Sequence, residues 1–324
     1  MKYEMKPLFE QRMSQLMPDS SDFAKFKEIT HKGPRHFIRC NTLKISPEKL
    51  FERLSKKWKV SQPFPSNKEI MVIDSQLMPG ELGNSIEHIL GHYYIQEVSS
   101  MLPPIALSPQ PGDLVLDLFA SPGSKTTQIA SYMENKGTII ANDLKIDRIQ
   151  ILVSNLEKNG VTNTIVTRGD SVFLCEKLNK EGWKFDKILL DVPCSGEGTL
   201  RSSPKTFLTW NPKVVKKLSR QQKKFFATAI KLLKVGGTLV YSTCTHAPEE
   251  NEEIISFALD NFPLKAESIE LPLKCRPGIP EWNSEAFNPD VSKACRIYPQ
   301  DNDSEGFFVS KFTLMEEIKE NSNI

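Results

Sequence analysis

Two stretches of the chain carry residue types that do chemistry, at a spacing that suggests they meet. In Phe185 to Leu200, FDKILLDVPCSGEGTL, the apolar run Ile188-Leu189-Leu190 reads as a buried strand ending in Asp191. Pro193 stops the strand, Cys194 follows, and Ser195 to Gly198 form a small-residue loop. Further on, Gly237 to Ser242 is a second apolar run, and it delivers Thr243-Cys244-Thr245. If the two strands are neighbours in one sheet, two thiols and a carboxylate face one cleft at the strand ends, where open α/β sheets place their ligands. Such a set suits substitution at carbon 5 of a pyrimidine. That carbon is a poor nucleophile until a thiolate adds at carbon 6, and the carbon 5 proton must leave before the thiolate can be eliminated. One thiol adds, Asp191 stabilises charge at ring nitrogen 3, and the second thiol assists elimination.

A cofactor site is legible upstream. A strand from Leu114 runs into Asp117-Leu118-Phe119-Ala120-Ser121-Pro122-Gly123-Ser124-Lys125-Thr126. The small residues let a ligand approach the backbone, and the helix start behind them offers free N–H groups. Leu118 and Ser124 stand where a P-loop needs glycine, and a dinucleotide fingerprint fails for want of glycines. What remains is an S-adenosylmethionine site, with Asp143 ending the second strand to bind ribose hydroxyls and Asp170 ending the third to reach the adenine amino group. A free thiol has a pKa of about 8.5, so the attacking one needs a nearby cation, and Lys125 and the basic segment below are candidates.

Composition narrows the rest. Net charge is only +2, but from Gly198 to Pro248 there is no Asp or Glu, whereas Arg201, Lys205, Lys213, Lys216, Lys217, Arg220, Lys223, Lys224, Lys231 and Lys234 all fall there. That segment joins the two thiol strands and reads either as a solvated helix face or as a phosphate-binding rim. Six cysteines show no Cys-x-x-Cys pair and no histidine at metal spacing, so neither a disulfide framework nor a zinc site is expected. The start, MKYEMKPLFEQRM, lacks a signal-peptide core, and no run is long enough to span a membrane. The expectation is a cytoplasmic, monomeric protein with no metal.

The elements that must position these groups form two units. Residues 1–91 are expected as a small α+β unit, with a helix from about Lys6 to Phe26, a basic strand around Arg35 to Lys44, a helix after Ser46-Pro47-Glu48 and a strand Ile70 to Ile73. Residues 92–316 alternate strand and helix, which implies an α/β fold with a mostly parallel, seven-stranded sheet covered on both faces. Within it a helix spans about Asn211 to Leu233, and another opens at Pro248 with four carboxylates at its positive end. Phe307 to Phe312 is expected to close the sheet as an antiparallel edge pair, and 317–324 as a frayed tail.

DLFASPGSKTTQIA, DVPCSGEG and LVYSTCTHAPEEN resemble the signatures of the Nol1/Nop2/Sun-type RNA cytosine-5 methyltransferases. The likeness extends through IRCNTLKIS, YYIQEVSSMLP and YPQDNDSEGFFVSKF, nearly the whole chain. It is to the bacterial branch that modifies small-subunit ribosomal RNA, without that branch's further C-terminal RNA-binding region. The resemblance implies a class I, Rossmann-like methyltransferase fold with an N-terminal RNA-binding unit. It implies Cys244 as nucleophile, Cys194 as the thiol that helps release product, and Asp191 and Lys125 as catalytic partners. For S-adenosylmethionine it implies contacts from Phe119, Ala120, Ser121, Pro122, Gly123, Ser124 and Lys125, and from Asp143, Arg148, Asp170 and Asp191. For RNA it implies Arg39, Asn41 and Lys44, joined by Arg201 from the basic segment. Phe207, Trp210 and Phe225 are either base-stacking platforms or core. Three other readings stay open: a transfer RNA substrate, a DNA enzyme attacking with Cys194 alone, and a non-catalytic RNA-binding assembly factor.

Overall fold

A computed structural model describes residues 5–318; the tail after residue 318 lies outside that range. The helix expected over Lys6 to Phe26 is two helices, α1 (Pro7–Leu16) and α2 (Ser20–Thr30), because Pro18 cannot continue the first and Asp19 caps the second through Ser21 N–H. They bury Phe9, Met13, Leu16 and Phe26, while Leu8 is exposed. Then follow β1 (His36–Cys40), α3 (Pro47–Ser55), β2 (Val60–Ser61), β3 (Ile70–Ile73), the short α4 (Ile86–Ile89) and β4 (Tyr93–Ile95). Ser46 caps α3 at the N–H of Lys49, as its Ser-Pro-Glu start suggests. The four strands form one antiparallel sheet, ordered β2-β3-β1-β4.

That order corrects the boundary at residue 91. Strand β4 pairs with β1 from Ile38 to Cys40, so the first sheet needs residues beyond 91 to be complete. Helices α1 and α2 correct it from the other side. Their apolar faces pack on Leu200, Phe207, Trp210 and Tyr298 of the second unit rather than on the first sheet.

The second unit runs α5 (Leu102–Leu107), β5 (Leu114–Asp117), α6 (Ser124–Tyr132), β6 (Thr138–Asp143), α7 (Ile146–Asn159), β7 (Thr164–Arg168), α8 (Ser171–Lys180) and β8 (Phe185–Asp191). It continues through the short α9 (Thr206–Thr209), α10 (Pro212–Ala229), β9 (Leu233–Thr243), α11 (Glu252–Asn261), β10 (Leu264–Glu267) and β11 (Arg276–Pro277). A small hairpin, β12 (Glu281–Trp282) and β13 (Glu285–Ala286), precedes β14 (Cys295–Ile297) and β15 (Phe307–Leu314). Helix α8 was not anticipated; Asp170 caps it.

The five strands β7-β6-β5-β8-β9 are parallel, and β15 joins β9 antiparallel. An antiparallel pairing does close the sheet, with β15 as its inner member. The far side of β15 is shared end to end by β14, against Phe307–Val309, and β10, against Lys311–Leu314, so the seventh position is built from two short pieces. Successive residues of the central strands face opposite layers. Ile188 and Leu190 enter one apolar cluster and Leu189 the other, and Leu239 and Tyr241 likewise oppose Val240. A sheet covered on both faces demands that pattern, which is why its strands read as unbroken apolar runs.

Candidate active site

Strand pairing brings the two thiols together. β8 and β9 are parallel neighbours with Asp191 opposite Ser242, so the residues just beyond them, Cys194 and Cys244, emerge side by side. Their sulfurs are 3.1 Å apart and unbonded, and the Cys244 N–H points at the Cys194 sulfur at 3.3 Å. The neighbouring sulfur, and then burial, push the Cys194 thiol well up. Around them the backbone is held tightly. Asn251 receives the Thr243 hydroxyl at 2.6 Å and donates to the Thr245 carbonyl at 3.0 Å, and Ser195 and Thr245 share a hydroxyl bond of 2.8 Å. Gly198 N–H donates to the Cys244 carbonyl, and its own carbonyl accepts from Gly306 N–H. A Cβ on Gly198 would stand 2.2 Å from the Gly306 carbonyl oxygen, so the approach that seats Cys244 requires glycine.

Asp191 is fixed at the same strand end. Lys125 pairs with it at 2.7 Å, and the Ser242 hydroxyl donates to its other oxygen at 2.8 Å. Lys125 also donates to the Ser100 hydroxyl, so its charge is committed to the carboxylate rather than offered to a thiolate. Beneath, burial raises Asp117 to about 6, and its partner is the Thr126 hydroxyl.

The loop Phe119 to Ser124 lies between β5 and α6, with Gly123 at φ +102° in the left-handed region where glycine is at home. No side chain caps α6, so its first N–H groups remain open to a ligand. Arg148 laces the loop to the next strand end: it donates to the Ser121 carbonyl at 2.6 Å and lies 3.4 Å from Asp143. Asp143 is nearly buried at the end of β6, and Asp170 spends one oxygen capping α8 and keeps the other. Exposed Leu144 and Phe173 follow the two aspartates. Open N–H groups, two carboxylates and apolar walls along successive strand ends fit an adenosyl amino acid. Among the described residues no cluster suits a metal ion.

The four residues expected to contact RNA are placed differently. Arg39 is 1 % exposed; it donates to the Ser124 carbonyl at 2.7 Å, the Thr127 hydroxyl at 2.8 Å and Gln96. Asn41 is equally buried and donates to the carbonyls of Gly91 and Asn159. Lys44 is exposed, but its ammonium is bound to the carbonyls of Leu90 and Lys158. Arg201 is buried and serves Lys32, Gly33, Ser304 and Asp303. All four tie segments of the chain together; a basic strand and a basic loop read alike whether they face solvent or a neighbour. Phe207 and Trp210 are core, packed on Phe9, and Phe225 lies against Phe119.

The acids after Pro248 do gather at a helix start, with Glu252 and Glu253 in the first turn of α11, but each also has a specific partner: Glu249 pairs with Arg12, Glu252 with Arg296 and Glu253 with Lys223, while Glu250 turns toward Ser195. Sequence reasoning missed Glu250, Gln222 and Gly306, because nothing local marks a residue whose partner lies on another strand end.

The comparisons with known proteins decide the family. A model described as 16S rRNA methyltransferase RsmB/F matches residues 104–313, and one for the N-terminal domain of 16S rRNA methyltransferase RsmF matches residues 5–98. The chain belongs to the Nol1/Nop2/Sun family. Among its relatives, the tRNA (cytosine(49)-C(5))-methyltransferase of Pyrococcus abyssi is 43% identical over 90% of this chain and 91% of that protein. The ribosomal RNA small subunit methyltransferase F of Shewanella woodyi is 38% identical over 94% of this chain, which spans 62% of that protein's length. The crystal structure of NSun6 from Pyrococcus horikoshii with SFG superimposes with a TM-score of 0.83 at 26% identity, covering 98% of this chain and all of that one. The Nol1/Nop2/Sun chain described here is therefore a Rossmann-like methyltransferase, and its methyl donor is S-adenosylmethionine.

Proposed function

We propose that this chain forms 5-methylcytidine in structured RNA through a covalent bond between Cys244 and carbon 6 of the cytosine. The observation that carries the proposal is the pair of unbonded sulfurs 3.1 Å apart beside Asp191. The neighbouring sulfur and burial make Cys194 hold its proton, which leaves the Cys244 sulfur, as thiolate, to attack. The Asp191 carboxyl, steadied by Lys125 and Ser242, meets the ring nitrogen that gains charge and relays to it a proton from solvent, returned when the adduct collapses. Bound S-adenosylmethionine supplies an electrophilic methyl group, held by the Phe119–Lys125 loop, Arg148, Asp143, Asp170 and Asp191. Once the Cys244 sulfur is bonded to carbon, the charge that held the Cys194 proton is gone, and that proton passes to solvent to leave a thiolate. Cys194 then accepts the carbon 5 proton as the Cys244–carbon bond breaks and the thiolate returns. A thiol that holds its proton is a poor attacker, which argues against the DNA reading with Cys194 as nucleophile.

The target base must be unpaired or flipped to reach these groups. On α10, Lys213, Lys217, Arg220 and Lys224 line one exposed face about 16 Å long, and among the described residues none has a carboxylate partner. That face supports an RNA partner. Small-subunit ribosomal RNA is the substrate proposed, on the support of the two family models; a transfer RNA is the second reading, favoured by the relative matched over nearly its full length. A reducing, cytoplasmic setting is supported by six free cysteines. No described helix is long and apolar enough to cross a membrane.

The test is mass spectrometry after incubation with S-adenosylmethionine and, separately, 16S ribosomal RNA and transfer RNA. Cys194→Ala should accumulate a covalent protein–RNA adduct, and Cys244→Ala should lose both adduct and 5-methylcytidine. Product confined to transfer RNA moves the assignment to the second reading, and methylation by Cys244→Ala sinks the two-thiol scheme.

A further inference from the structure

Glu250 is fully buried beneath the catalytic thiols and takes no part in the steps above. One of its carboxylate oxygens accepts two bonds, from the Ser195 N–H at 3.1 Å and from the Gln222 side-chain amide at 2.8 Å. The same Gln222 amide donates to the Pro193 carbonyl at 2.9 Å. The pair therefore grips the chain immediately before and immediately after Cys194. Gln222 comes from α10, and Glu250 from the turn after β9 that also carries Cys244, so the grip spans the two strand ends whose thiols must meet. Glu250 is anchored in turn, since the Tyr241 hydroxyl donates to its backbone carbonyl at 2.6 Å. Ser195 adds a hydroxyl bond to Thr245 after Cys194, but the Gln222–Glu250 pair holds the backbone on both sides of the thiol.

We propose that Glu250 is a positioning residue: with Gln222 it clamps the Pro193-Cys194-Ser195 segment so that the Cys194 sulfur lies against Cys244, and its loss impairs product release rather than methyl transfer. The inference rests on the two-thiol reading above. Burial, reinforced by the charge of nearby Glu197, raises Glu250 to about 7, while the Ser195 and Gln222 donors pull the other way. Among the described residues, its second oxygen and the Gln222 carbonyl oxygen both find no partner although buried. An amide at position 250 can accept from Ser195 and donate to that lone Gln222 oxygen, so Glu250→Gln preserves the grip without the charge. Glu250→Ala removes it, and Gln222→Leu removes it from the other side.

The experiment is one-turnover and multiple-turnover methylation of the RNA that the wild type modifies, with denaturing gels to count adduct. Folding of each variant is checked by thermal melting. Glu250→Ala and Gln222→Leu should methylate close to one RNA per enzyme at near wild-type rate and then stall as adduct, with steady turnover down about tenfold or more, short of the about hundredfold or greater loss expected when the proton-transfer group itself is removed. Glu250→Gln should restore turnover and clear the adduct. An equal fall in both rates without adduct makes Glu250 a merely structural residue and overturns the proposal, as does unchanged turnover in both truncations. Cys194→Ala run beside them separates the two claims. If it traps adduct and the clamp variants do not, only the clamp fails; if it does not trap adduct, the release role on which the clamp depends fails first.

Discussion

The sulfur of Cys194 lies 3.1 Å from the sulfur of Cys244, closer than two sulfurs rest in ordinary contact and well beyond a disulfide bond. Either sulfur can donate a proton to the other at that distance, and the upward push on Cys194 makes it the one that keeps its proton longer. A coupled pair of this kind loses its protons in sequence, and the second is hard to remove.

The order of labelling follows from that. Iodoacetamide at pH 8 should modify Cys244 before Cys194, because burial and its neighbour keep the Cys194 thiol protonated. Peptide mass mapping over a time course reads it, and labelling of Cys194 first would reverse the assignment of which thiol keeps its proton longer.

Arg39 should prove a matter of stability rather than RNA affinity. Burial pulls its guanidinium down to about 10, and it is retained only by the carbonyl and side-chain oxygens around it. Arg39→Met leaves those acceptors dry, and the loss should be about 3 kcal/mol, the lower end for a broken buried charged group. Urea denaturation measures it, while binding of RNA to the folded variant should keep the wild-type salt dependence. Since Ser124 opens the cofactor loop, weaker S-adenosylmethionine binding should accompany the loss.

The α10 face should behave in the opposite manner. Replacing Lys213, Lys217, Arg220 or Lys224 by alanine leaves melting unchanged. Each replacement that loses a phosphate contact should make the slope of log affinity against log salt shallower by about 0.7 to 0.9. Titrations over a range of potassium chloride check this, and four unchanged slopes would take RNA off that face.

His246 sets an acid limit. Burial, with Arg296 and Arg276 nearby, lowers it from 6.5 to about 3, and it stacks on Tyr298 at 5.0 Å between ring centres. A folded value below the unfolded one means that its contribution is complete above pH 6.5 and is lost as pH falls toward 3, at up to about 1.4 kcal/mol per pH unit. The stability gap between wild type and His246→Gln should therefore narrow from pH 7 to pH 4. Asp117 and Glu250, with raised values, act in the reverse direction but equally in both proteins, so the difference isolates His246.

Much of this was legible in one dimension. A strand buried on both faces must be apolar at consecutive positions, so Ile188–Leu190 and Leu239–Tyr241 announced themselves, and the reactive residues at their ends could be read off. Parallel pairing of adjacent strands then leaves little freedom in where Cys194 and Cys244 go. Charge without periodicity is less informative. Arg39, Asn41 and Arg201 look the same in a string of letters whether they face a phosphate or a carbonyl, and only packing decided that they bind the chain to itself. The acids after Pro248 teach the same lesson: helix polarity accounts for their type, but Arg12, Gln222 and Arg296, distant in sequence, decided where each carboxylate points. Local backbone preference and burial periodicity act over a few residues and are written in the chain; hydrogen-bond partners across the fold exist only once it has closed.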